Sequence, residues 1–201
     1  LGSGWFLMGA LLNNYLLISQ RELEASRALQ QASSAKYSMF DALNQLSLAR
    51  DNETGSHILR TQHYVRVIAL ALRDLSTPHA SQLNDETIEA MFLAAPLHDV
   101  GKVGIPDSIL LKPGKLTESE WTVMKTHALI GENVLLSAAD EAGSADLKIA
   151  GDLAGGHHEK WNGTGYPRAL AGEAIPLSAR IMAIADVYDA LTSSRVYKSA
   201  W

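Results

Sequence analysis

The chain has 201 residues, 47% of them hydrophobic, and a formal net charge of −5 at pH 7 with histidine neutral. That length suits one sizeable domain with an extension, and the acidic balance excludes a broad basic face for duplex nucleic acid. There is no cysteine, so disulfides and thiolate ligands are excluded and any transition-metal site must use nitrogen and oxygen.

In chain order, residues 1–19 contain the run WFLMGALLNNYLLI, apolar apart from Asn13 and Asn14. A membrane span needs about 20 apolar residues. The run therefore reads as a packed or interface helix, or as the inner end of a membrane segment. No basic region or cleavage site marks it as a signal peptide. Residues 20–46 are rich in Gln, Glu, Ala, Ser and Leu and hold no proline or glycine. They read as a helical connector, suited to pairing in a homodimer, although the heptads are irregular. The chain starts at Leu1 and stops at Trp201 after a helical-looking segment, which reads as a fragment of a longer polypeptide.

From about residue 51 the spacing is helical. Ile58, Val65, Ile68, Leu72 and Leu75 form an expected core stripe. Asn84 or Asp85 can cap a helix carrying Ile88, Met91, Phe92 and Leu97, with Pro96 expected to kink it and Gly101 to end it. Thr117 and Glu120 have capping-box spacing before Trp121, Met124 and Leu129, and the same helix is expected to carry His127. Further helices run from about Asp146 to Gly155–Gly156 and through Ile181, Ile184, Tyr188 and Leu191. No alternating β-branched stretch stands out, so the expected class is all-α.

Polar residues sit where this pattern should be apolar. His98 adjoins Asp99 at the end of an apolar run, His157 adjoins His158, and His57 lies four residues after Glu53. His127 and Asp186 lie on otherwise apolar helices. Singly, each also reads as a cap, a surface residue or half of an ion pair. Together, five histidines and three carboxylates suit a helical bundle whose side chains converge on an interior metal cluster. Mixed imidazole and carboxylate donors fit iron, manganese, cobalt, nickel or zinc, and eight ligands suit two or three ions. His63 and His79 read as surface residues.

Five stretches carry a family resemblance: ETGSHILRTQHYV (53–65), HDVGKVGIPDSIL (98–110), MKTHALIGENVL (124–135), HHEKWNGTGYP (157–167) and ARIMAIADVYDALTSSRVYK (179–198). They resemble the HD-GYP family, a branch of the HD-domain metal-dependent phosphohydrolases, across 47–201. The resemblance implies an all-α HD-domain helical bundle with a metal cluster in its core, C-terminally truncated and preceded by the helical linker. It implies hydrolysis of cyclic di-GMP to pGpG or GMP with two or three divalent ions, iron or manganese. It implies His57, His98, Asp99 and Asp186 around one metal, with Asp99 bridging to a second held by His127, His157 and His158. Glu53 matches the carboxylate that serves a third ion. Lys102, Tyr166, Arg195 and Lys198 match residues near substrate phosphates or guanines, and Trp161 offers a second flat face. Interaction with diguanylate cyclase domains through the GYP loop, and a cytoplasmic location at the inner face of the bacterial inner membrane, are further implications.

A phosphodiester resists attack because its anionic oxygens repel hydroxide; two bridged cations would answer that repulsion and make hydroxide available near neutral pH. On this reading His98–Asp99 lies at a helix end to be delivered to a cluster, and Lys102 follows as a point charge for phosphate. The competing readings are another HD-type nucleotide phosphohydrolase and a non-catalytic module that binds a cyclic dinucleotide or a protein partner.

Overall fold

The computed structural model of the chain describes residues 2–49, 55–75 and 77–193. Two compact units divide it, Leu1–Asp41 and Ala42–Trp201. The first consists of most of helix α1 (Gly2–Leu48), which runs unbroken through the apolar stretch and the polar connector. Leu11, Leu12, Tyr15, Leu16 and Ile18 are exposed on it. Among the described residues no helix is long and apolar enough to cross a membrane.

The second unit contains helices α2 (Gly55–Asp74), α3 (Asp85–Ala94), α4 (Asp107–Leu110), α5 (Glu118–Met124), α6 (His127–Ala142), α7 (Ala145–Gly156) and α8 (Leu177–Thr192). No strand occurs among the described residues; one isolated bridge joins Asn162 to Ala171 in the loop after α7. The all-α class is therefore as the sequence suggests. Helix α6 packs on α7 and on the 3-10 segment Val100–Gly104, α2 packs on α3 and α8, and α7 packs on α3 and α8. Val65, Met91, Leu97, Leu153, Ile181 and Met182 form the buried centre between them. Burying an aliphatic side chain contributes about 1.5–3 kcal/mol, so these contacts fix the frame on which the polar residues sit.

Caps follow the sequence closely. Asn84 accepts from Thr87 N at 2.8 Å and starts α3. Thr117 and Glu120 form a full capping box, and Glu120 also takes two bonds from Lys112 Nζ. These hold the Glu120 carboxyl down at about 2, the Lys112 bonds contributing most.

Three expectations change. Helix α3 stops at Ala94 and hands over to a 3-10 turn, Ala95–Leu97, so Pro96 ends the helix rather than kinking it. The capping-box helix is only seven residues long. Thr126 Oγ1 bonds back to Val123 O at 2.7 Å, and His127 begins a new helix instead of riding on the old one. Leu75 is exposed because it follows the end of α2. On α8 the buried stripe is Ala179, Met182, Ala185 and Asp189, which leaves Ile184, Tyr188 and Leu191 on the exposed side.

Candidate metal centre

Four helix ends and one helix face converge. His57 lies in the first turn of α2, His98 ends the turn that contains Pro96, and His127 opens α6. His157 caps the C-terminus of α7, His158 follows it, and Asp186 projects from α8. Their donor atoms form two groups: Asp99, His127, His157 and His158, and His57, His98 and Asp186. Within each group these atoms lie within 4.8 Å of one another.

Asp99 stands between the groups. Its Oδ1 is 3.1 Å from His127 Nε2 and 3.6 Å from His157 Nε2. Its Oδ2 is 3.3 Å from His98 Nε2. One carboxylate thus shows an oxygen to each group. The glycine after it makes this approach feasible: a Cβ on Gly101 would collide with the main chain of His127 and Gly131, so only glycine lets the Asp99 turn lie against the start of α6.

The backbone settles the tautomers. A carbonyl oxygen can only accept, so a ring nitrogen bonded to one carries the proton. His98 Nδ1 donates to Ala95 O (2.8 Å), His127 Nδ1 to Met124 O (2.8 Å) and His157 Nδ1 to Ala154 O (3.0 Å). Each Nε2 lone pair therefore faces inward. His127 Nε2, His157 Nε2 and Asp99 Oδ1 are buried and complete no hydrogen bond. Leaving such atoms unsatisfied costs about 1–3 kcal/mol each. Lone pairs and carboxylate oxygens meeting in a buried space, all nitrogen and oxygen, fit divalent cations.

The local electrostatics agree. Burial pushes the Asp99 carboxyl up, but the surrounding positive charge, with Lys102 Nζ 2.7 Å from Oδ2, outweighs it and holds it well below the usual range. Burial lowers His157, and burial with the neighbouring imidazoles lowers His158 to about 2. Both rings stay neutral near pH 7, the form that can ligate a metal.

Residues 57–201 match the family model of the HD domain. The chain belongs to the HD-domain family. It is 50% identical over 192 residues to a cyclic di-GMP phosphodiesterase of Vibrio cholerae, covering 94% of this chain and 39% of that protein. It is 45% identical over 152 residues to the cyclic di-GMP phosphodiesterase response regulator RpfG of Xanthomonas campestris, covering 76% of this chain and 37% of that protein. A 3'3'-cGAMP-specific phosphodiesterase of Vibrio cholerae is 44% identical over 153 residues, covering 76% of this chain and 27% of that protein. The chain thus spans well under half the length of these curated relatives. An HD domain implies divalent metal, and the buried histidine–aspartate cluster can hold it.

Of the residues singled out in the sequence, the HD domain brings His57, His98, Asp99, His127, His157, His158 and Asp186 together. Lys102 is with them: the 3-10 turn eclipses residues three apart, and Lys102 Nζ lies 2.7 Å from Asp99 Oδ2. Tyr166 also reaches the cluster, its ring stacked on His158 at 4.6 Å. Trp161 instead lies against Arg180 of α8, 5.7 Å from its guanidinium. His63 is exposed beside Phe92, whereas His79 is half-buried and lines an apolar recess with Leu72, Trp161 and Ile175. Glu53, Arg195 and Lys198 lie outside the described residues.

Sequence reasoning missed three buried carboxylates. Asp189, three residues after Asp186, accepts from His57 Nδ1 at 2.7 Å. Glu159 accepts from Arg168 N (2.7 Å) and Leu170 N (3.0 Å), and Glu132 on α6 pairs with the Arg168 guanidinium. These bonds clamp the loop that carries Tyr166. Gly165 completes the clamp, because a Cβ there would strike the main chain of His158, Glu159 and Lys160. The available signal was a second carboxylate, Asp189, in the apolar run that carries Asp186; Glu159, beside Lys160, and Glu132, between Gly131 and Asn133, gave none.

Proposed function

We propose that the chain is the catalytic domain of a metal-dependent phosphodiesterase that hydrolyses cyclic di-GMP to pGpG, GMP or both. The observation that carries this reading is Asp99, with one oxygen toward each of two ligand groups. The names of the relatives, cyclic di-GMP phosphodiesterases at 45–55% identity, support the substrate.

In this reading His57, His98, Asp99 and Asp186 hold one cation, and Asp99, His127, His157 and His158 hold a second. Glu53 would serve a third, and iron or manganese suits the nitrogen and oxygen donors. Bound there, such cations would supply Lewis acidity toward the phosphoryl oxygens and a nucleophile at neutral pH. Asp99 fixes the spacing of the two groups. Lys102 supplies a positive charge beside Asp99 for an anionic diester. Tyr166 is a donor: burial, with the Asp99 charge next, raises its phenol above the ordinary range, so the proton stays on. Arg195 and Lys198 would grip the phosphates or guanines. The domain would span 47–201 after a connector at 20–46. Pairing through that connector as a homodimer, docking of a diguanylate cyclase through the GYP loop, and a cytoplasmic site at the inner membrane face, attached through 1–19, are the wider setting of the same reading.

A second substrate is favoured by one finding. Three relatives, 38–44% identical, are named 3'3'-cGAMP-specific phosphodiesterases. Product analysis with manganese-loaded protein separates these cases. Cyclic di-GMP should be turned over to pGpG or GMP faster than 3'3'-cGAMP. Faster turnover of 3'3'-cGAMP would reassign the substrate, and binding without turnover of either would make the domain a non-catalytic module.

A further inference from the structure

A ligating imidazole usually has its outer nitrogen held, and of the four held here one is held differently. His98, His127 and His157 each give Nδ1–H to a main-chain carbonyl. His57 gives its Nδ1–H to the carboxylate of Asp189, 1% exposed, at 2.7 Å. The same carboxylate takes Arg60 Nε at 2.6 Å, Arg60 Nη2 at 2.9 Å and Ser193 Oγ at 3.2 Å. Oδ1 thus serves Arg60 and Ser193, and Oδ2 serves His57 and Arg60. Both oxygens are engaged, which makes Asp189 a holder of a ligand rather than a ligand.

The spacing explains the arrangement. His57 and Arg60 are three residues apart on α2, and Asp186 and Asp189 are three apart on α8, so each pair shares a helical face. Facing each other, the helices place a carboxylate beside each nitrogen of the His57 ring: Asp189 at Nδ1 and Asp186, 3.7 Å away, at Nε2. A carboxylate partner fixes the tautomer and orientation of a ligating imidazole and raises its basicity.

We propose that Arg60 and Asp189 are positioning residues for His57: they fix its Nδ1–H tautomer, aim Nε2 at His98 and Asp186, and so set the metal affinity of that half of the centre separately from the Asp99, His127, His157 and His158 half. This rests on the reading of the cluster as a metal centre. A purely structural α2–α8 ion pair would instead change thermal stability and leave the tautomer and the balance between the two sites alone.

The test compares the 201-residue chain with its Asp189→Asn variant. First, metal-stripped protein is examined by 15N NMR of the imidazoles. The wild-type His57 should show a protonated Nδ1 and a lone-pair Nε2, and the variant should lose that signature. Second, each protein is titrated with Mn2+ alone, by calorimetry and metal counting. One of two affinities should fall about 10- to 100-fold, the range for lost outer-shell partners, while the other is unchanged. Equal affinities in variant and wild type, or an equal fall in both sites, would overturn the proposal. If wild-type protein binds no Mn2+, the metal reading itself fails, and the tautomer result tells the two failures apart. Arg60 has a side chain 37% exposed, so Arg60→Met covers the case in which Asp189→Asn does not fold. It should weaken the same single site by less, and no change would count against the pair.

Discussion

At the scale of residues, the site is a problem of buried lone pairs. The outer nitrogens of His98, His127 and His157 are tied to carbonyls, so their inner nitrogens cannot be donors and must meet a cation or remain costly. Lys102 supplies charge but no ligand atom, since an ammonium has no lone pair. Lys102→Ala should therefore leave metal content intact. Losing a charge-assisted bond of about 1.5–3 kcal/mol should lower turnover of cyclic di-GMP about ten- to a hundred-fold. A small diester such as bis(p-nitrophenyl) phosphate should suffer less, and metal loss in this variant would move Lys102 into the ligand set. The histidines were legible in the sequence because paired ionisable residues at the end of an apolar run demand a reason. Asp189 was not, because Asp186 already accounted for a carboxylate in the same run. Only the fold reveals that Arg60 and His57 reach it from α2.

At the scale of elements, short and broken helices do the positioning. The stop at Ala94, the 3-10 turns on both sides of His98–Asp99 and the restart at His127 each turn the backbone so that a side chain leaves a helix end toward the centre. Gly101 is the tightest of these joints. In Gly101→Ala the new methyl would meet main-chain atoms of α6 that cannot swing away. Overpacking of this kind typically costs about 1–3 kcal/mol, and here it also pushes Asp99 from His127. The melting temperature of the metal-stripped protein should fall, and Mn2+ should bind more weakly as well. A variant that melts lower yet binds Mn2+ normally would separate Gly101 from the centre. Caps were legible at this scale, since Asn84 and the Thr117–Glu120 box act as their spacing suggests. The break before His127 was not, because no proline or glycine marks it and a threonine hydroxyl makes the turn instead.

At the scale of the whole molecule, the second unit gathers residues 57 to 186 into two adjoining ligand groups, and no periodicity in a single helix announces that gathering. The resemblance to a known family supplied it in the sequence, and the packing of α2, α6, α7 and α8 accounts for it physically. The central claim is that Asp99 joins two cation sites into one centre. Counting Mn2+ bound per chain in wild-type protein and in Asp99→Asn tests it most directly. An amide keeps the shape but lacks the charge, so the wild type should hold at least two ions and the variant should lose affinity at both sites together. Loss of one ion with the other retained at full affinity, or an unchanged count, would contradict the bridge.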